Sequence, residues 1–120
     1  MSVLVDTSVW IEYFRYGNNS DRLDFLIDEN LVTTNDLILA ELIPFLKIKK
    51  QNQIIALLYS INKLQLAIKW EEIITYQYKC LQYGLNGVGI PDLLIAQNAK
   101  QNQCEIYSLD KHFTLLKDIL

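Results

Sequence analysis

Four carboxylates lie in company that does not suit them. Asp6 ends the apolar run Val3-Leu4-Val5, Glu41 is the single charge between Leu37 and Phe45, Asp92 is followed by Leu93-Leu94-Ile95-Ala96, and Asp110 stands where the stretch from Cys104 to Leu109 runs out. Most of the other acids, among them Asp21, Asp24, Asp28, Glu29, Glu71 and Glu72, sit in polar surroundings and read as solvated. Taken singly, the four have ordinary readings: Asp6 and Asp92 as helix caps, Glu41 on a narrow exposed stripe, Asp110 in a turn. Glu41 fits its reading worst. No Lys or Arg lies within a helical turn of it, and a carboxylate in so apolar a helix must be exposed, paired or bound to a metal.

If the fold gathers these acids, repulsion dictates what the site must contain. Two like charges about 4 Å apart cost on the order of 4 kcal/mol at an effective dielectric near 20, so several together need a counter-charge. A divalent cation supplies it, and a donor set of oxygens without His or Cys points to Mg²⁺, with Mn²⁺ as the alternative, rather than to zinc. Such a site can activate a water and bind a phosphodiester oxygen, the chemistry of metal-dependent nucleases and phosphatases.

Strands must end at the acids for this to happen, because an open parallel sheet binds ligands beyond the carboxyl ends of its strands. Val3 to Val5 reads as a short buried strand, and Ser8 as the cap of a helix carrying Val9, Trp10, Tyr13 and Phe14, broken by Tyr16-Gly17-Asn18-Asn19-Ser20. A second helix opens at Ser20 or Asp21 and closes near Asn30. Leu31 to Thr34 is a second strand, and Asn35 or Asp36 caps a third helix that Pro44 should kink or end. A fourth helix spans Asn52 to Ser60, and Leu64 to Ile68 reads as a third strand. Trp70 to Tyr83 is a long amphipathic helix whose Tyr76, Tyr78 and Tyr83 read as core or interface rather than base-stacking platforms. Another helix follows Pro91, then a last strand over 104–109 and a final short element. Strands separated by helices imply a three-layer α/β/α sandwich with a mainly parallel central sheet of four to five strands.

No repeat or linker divides the chain, so residues 1–120 are expected to form a single domain. The net charge of -3 argues against a general polyanion binder, but setting the four acids aside leaves 10 of 14 acids against 11 bases, a net of +1. The order of Gly84, Gly87 and Gly89 is not that of a dinucleotide loop, and no phosphate-binding lysine motif follows. The distant Cys80 and Cys104 read as reduced thiols, and no apolar run approaches the roughly 20 residues a bilayer requires. A cytoplasmic protein without a membrane role is expected.

The strings around the four acids resemble those of the PIN-domain ribonucleases, and among them the VapC-type toxins of toxin-antitoxin pairs. Val-Leu-Val-Asp6-Thr7-Ser8-Val-Trp-Ile resembles the opening strand and first acid, Leu-Ala-Glu41-Leu the glutamate of the third helix, Ile-Pro-Asp92-Leu-Leu-Ile-Ala the third acid, and Ser108-Leu-Asp110-Lys-His-Phe113 the closing motif. No one string is specific, but four in order span nearly the whole chain. The resemblance implies a Mg²⁺-dependent endoribonuclease whose catalytic and metal-binding residues are Asp6, Glu41, Asp92 and Asp110, with Thr7, Ser8 and Ser108 orienting carboxylates or water. It also implies an RNA substrate cut by water activated at the metal, a homodimer, and a cognate antitoxin that inserts a segment near the site. Ser108 stands where threonine is commoner, which keeps the hydroxyl. His112, alone beside Phe113, reads as structural rather than as a general acid.

Two other classes compete. A Mg²⁺-dependent phosphatase or phosphoacceptor domain needs an acidic pair or a strand-end lysine, which Asp6-Thr7-Ser8 and Asp110 do not supply. A catalytically silent interaction module with the same fold has no reason to carry four mutually repelling acids.

Overall fold

A computed structural model of the protein describes residues 2–17 and 20–120. Its elements run β1 (Val3–Val5), α1 (Thr7–Tyr16), α2 (Ser20–Asp28), β2 (Val32–Thr34), α3 (Asp36–Ile48), α4 (Asn52–Ser60), β3 (Asn62–Lys63), α5 (Trp70–Gln82), α6 (Ile90–Gln101), β4 (Glu105–Tyr107) and α7 (Lys111–Ile119). The strands form one parallel sheet in the order β3-β2-β1-β4. Every crossover is helical, so both faces of the sheet are covered, which is why β1 and β2 are short unbroken runs of buried residues. Helices pack in two sets, α3 with α1 and α4, and α5, α6 and α7 with one another. This is the α/β/α sandwich expected from the alternation of strands and helices.

β1 lies inside the sheet, pairing Val3 with Val32 on one side and Val5 with Tyr107 on the other. Its carboxyl end is thereby fixed next to the carboxyl end of β4. Trp10, fully buried, stacks on Phe14 at 5.8 Å and locks α1 over the core. Gly17 closes α1 at φ 68, a left-handed conformation that suits glycine; Asn18 and Asn19, expected in the same turn, lie outside the described residues.

Three local expectations are corrected. The third strand is Asn62–Lys63, with Leu64 N–H still bonding Thr34 O, and Leu64 to Ile68 is not part of it. There the backbone is taken by amide side chains of α6: Asn98 donates to Gln65 O, Gln101 to Ala67 O, and Gln97 bonds both Lys69 O and Lys69 N–H. An extended segment strapped by side chains satisfies its polar groups without a ladder. Pro44 does not end the third helix, which runs on to Ile48. Ala40 and Pro44 both face solvent, so water can satisfy the carbonyl that proline leaves without a donor. The cap position of α1 is Asp6 rather than Ser8, and the Asp6 side chain makes no capping bond. Both cysteines are free, and among the described residues no helix is long and apolar enough to cross a membrane.

Candidate functional site

Asp6 is the first residue past β1 and is only 7 % exposed. Its carboxylate turns away from the α1 backbone because two hydroxyls claim it: Ser8 Oγ donates to Asp6 Oδ2 at 2.9 Å and Ser108 Oγ to the same oxygen at 2.8 Å. A hydroxyl has one proton to give. With both spent on Asp6, the 3.3 Å approach of the two serine oxygens is proximity rather than a further bond. Each serine then accepts from the backbone after β4, Ser8 from Leu109 N–H and Ser108 from Asp110 N–H. The ends of β1 and β4 are thus sewn together around one carboxylate.

Asp110 is the cap of α7, and its Oδ1 accepts from His112 N–H at 2.9 Å. Asp92 occupies the first turn of α6, where Gly89 N–H donates to its Oδ2 at 3.2 Å. Partial burial raises the Asp92 carboxyl above its usual range; the Gly89 bond and His112 oppose this, and the fields of Asp110 and Asp6 add to it. Glu41 projects from α3 to the start of α1, where Thr7 Oγ1 donates to its Oε1 at 3.0 Å. Its carboxyl is raised by partial burial first, with Thr7 opposing and Asp6 and Asp92 adding. These fields link Asp92 to Asp6 and Asp110, and Glu41 to Asp6 and Asp92; among the described residues the group that brings ligand atoms within 4.8 Å of one another is Asp92, Asp110 and His112, without Asp6 or Glu41. Thr7, Ser8 and Ser108 each hold one of the four acids expected from the sequence.

One oxygen of each acid is committed to positioning: Asp6 Oδ2, Glu41 Oε1, Asp92 Oδ2 and Asp110 Oδ1. Among the described residues, none donates a hydrogen bond to the other oxygen of each. The set can therefore offer oxygen donors to a hard cation without dismantling the bonds that orient it.

His112 belongs to the same cluster, which its sequence reading as a structural residue did not anticipate. Its Nδ1 lies 3.2 Å from Asp110 Oδ1 and 3.6 Å from Asp92 Oδ2, yet it is buried with no hydrogen bond of proper alignment. The available signal was the two-residue spacing from Asp110, which at a helix start brings a side chain beside the capping carboxylate. A groove of about 600 Å³ leads from Ser108 and Asp110 along β4 between α6 and α7.

The PIN domain family model matches residues 3–118. No curated protein sequence matches the chain. Solved structures share the fold, among them the following two. The crystal structure of FitAcB from Neisseria gonorrhoeae is 23 % identical, with 98 % of this chain and 94 % of that chain covered and a TM-score of 0.72. The crystal structure of VapBC2 from Rickettsia felis, bound to a DNA fragment from their promoter, is 22 % identical, with 99 % and 93 % covered and a TM-score of 0.73.

Proposed function

The chain belongs to the PIN domain family, and from that premise we propose that it is a divalent-metal-dependent endoribonuclease acting as the toxin of a toxin-antitoxin pair. The observation that carries the reading is a chain of acids, Glu41 and Asp110 each within the field of Asp92 and Asp6 within that of both Glu41 and Asp92, held by a clasp that uses one oxygen of each. Such a grouping has no structural use on its own, since the charges repel.

Asp6, Glu41, Asp92 and Asp110 would hold Mg²⁺ or Mn²⁺, and the buried Nδ1 of His112 beside Asp92 and Asp110, which makes no hydrogen bond, fits a cation at that place. An ion there supplies Lewis-acid stabilisation of charge developing on a scissile phosphate and makes a water more acidic. The protein's own part is positional. Ser8 and Ser108 fix Asp6, Thr7 fixes Glu41, and the helix starts at Gly89 and Asp110 fix the remaining two. RNA as the substrate and a cytoplasmic setting are part of the same proposal.

An antitoxin partner is supported by the fold shared with FitAcB and VapBC2. The groove ending at Ser108 and Asp110 would admit one of its segments to the acids. A homodimer is supported by an unpartnered apolar stripe on α5. The test is cleavage of RNA by the purified chain. Mg²⁺ or Mn²⁺ should be required, chelation should stop the reaction, and Asp6→Asn should abolish it; equal cleavage by wild type and Asp6→Asn would remove Asp6 from the site.

A further inference from the structure

We propose that His112 is itself a ligand of the divalent ion, a nitrogen donor in a site otherwise made of oxygen, and that it tilts the site toward Mn²⁺ over Mg²⁺. The inference rests on the metal-dependent reading above and adds a residue to it.

Three observations carry it. The first is the nitrogen Nδ1, which is buried and faces two carboxylates at 3.2 and 3.6 Å but makes a hydrogen bond to neither. A buried ring nitrogen without a partner lacks a group that the structure has room for. The second is distance. One donor atom each from Asp92, Asp110 and His112 lie within 4.8 Å of one another, close to the roughly 4 Å that separates opposite ligands of one octahedral ion.

The third is the way the ring is held. Gly87 packs against its far edge so tightly that a Cβ at that position would stand 2.9 Å from Nε2 and 3.3 Å from Cε1. The backbone of Gly87 is not in the left-handed region, so glycine is needed there for space and not for conformation. Pressed by Gly87 on one edge, the imidazole presents its other nitrogen to the acids. A steric stop of this kind limits how far the ring can turn.

Donor chemistry gives the consequence. Mg²⁺ takes oxygen ligands and accepts imidazole poorly, whereas transition ions accept it readily, so exchanging one oxygen for nitrogen favours Mn²⁺.

The chain contains a single histidine, which makes the test direct. Electron spin echo modulation of Mn²⁺ bound to the untagged protein should show a directly coordinated ¹⁴N, and no other imidazole can produce it. The coupling should vanish in His112→Gln and weaken in Gly87→Ala. Competition titration should show the Mn²⁺ to Mg²⁺ affinity ratio falling about tenfold in His112→Gln, in line with the losses seen when a metal site's supporting contacts are removed. Bound Mn²⁺ without nitrogen coupling in the wild type overturns the proposal while leaving the metal site standing. Failure of the wild type to bind either ion overturns both. Because the wild-type spectrum decides, the outcome does not depend on how the variants fold.

Discussion

Ser108 donates its hydroxyl to Asp6 Oδ2 at 2.8 Å across 102 positions of sequence. That bond ties the loop after β4 to the end of β1, so the placement of Asp6 depends on both ends of the chain. Ser108→Ala removes one of two hydroxyls from a carboxylate that is 7 % exposed, and it also strips Asp110 N–H of its acceptor. The expected result is a 10–100-fold loss of RNA cleavage, roughly the effect of deleting a group that orients a ligand, with a stability loss of about 1–2 kcal/mol. Ser108→Thr, which keeps the hydroxyl, should retain most of the activity. Steady-state cleavage with thermal unfolding checks both, and full activity in Ser108→Ala would show that Ser8 alone positions Asp6.

The raised carboxyls of Glu41 and Asp92 imply a pH dependence of the metal-free protein. Their usual values are 4.5 and 3.8, and burial is the leading cause of both shifts. An acid whose folded-state value lies above its unfolded one holds its proton longer in the folded state, so stability falls as pH rises through that window. These two groups therefore contribute most to stability in acid and least at neutral pH. Glu72, lowered mainly by its bond from Gln97, acts in the opposite sense. The clean measurement is a difference: wild type minus Glu41→Gln/Asp92→Asn, unfolded in chelator from pH 3 to 7. The double variant should gain on wild type as pH rises, and saturating Mn²⁺ at pH 7 should stabilise wild type and not the variant. A pH-independent difference would mean that neither carboxyl is raised in the folded protein.

The sandwich and its parallel sheet were legible in the sequence because β1 is a short apolar run and because Leu31 to Thr34 and the stretch over 104–109, rich in β-branched and aromatic residues, alternate with capped helices; the four acids stood out because each broke an apolar context. The strap over Leu64 to Ile68 was not legible. Alternation around Gln65 looks the same whether its backbone bonds a neighbouring strand or side chains thirty residues away, and only the folded α6 reveals Gln97, Asn98 and Gln101 as those partners. Pro44 misled for a related reason: whether an orphaned carbonyl ends a helix depends on its access to water, a tertiary fact. His112 was hidden because its two-residue spacing from Asp110 gains meaning only once Asp110 is known to cap α7, and because the approach of Gly87 joins the loop before α6 to the first turn of α7.

On α5, Trp70, Ile74, Tyr78 and Leu81 fall at i, i+4, i+8 and i+11 and are each more than half exposed. Four large apolar groups on one helical face form a patch that monomers seldom leave to water. If two copies pair there, Ile74→Asp/Tyr78→Asp should convert a dimer to a monomer by light scattering, with the folded monomer's stability changed by less than about 0.5 kcal/mol, as for surface substitutions. A wild-type chain that is monomeric at tens of micromolar would dismiss the α5 interface.

Asn98 makes the clearest stability prediction, because its two amide ends serve different parts of the fold. Its Oδ1 accepts from Asn35 Nδ2 at 2.9 Å, and its Nδ2 donates to Gln65 O at 3.0 Å. Asn35 in turn caps α3 by accepting from Ile38 N–H, and α3 carries Glu41. Asn98→Leu would leave one buried donor and one carbonyl without partners, each costing on the order of 1–3 kcal/mol. Together they should lower the unfolding midpoint by roughly 10 °C or more for a chain of this size. Gln101→Ala, which frees only Ala67 O at an exposed edge, should cost far less. Asn98→Leu should also weaken cleavage beyond what the lost stability explains, since a loosened Asn35 lets the start of α3 shift Glu41 away from Thr7. Midpoints that differ by less than about 2 °C between Asn98→Leu and wild type would show that the strap contributes little to stability. Undiminished cleavage with a lowered midpoint would separate the strap from the site.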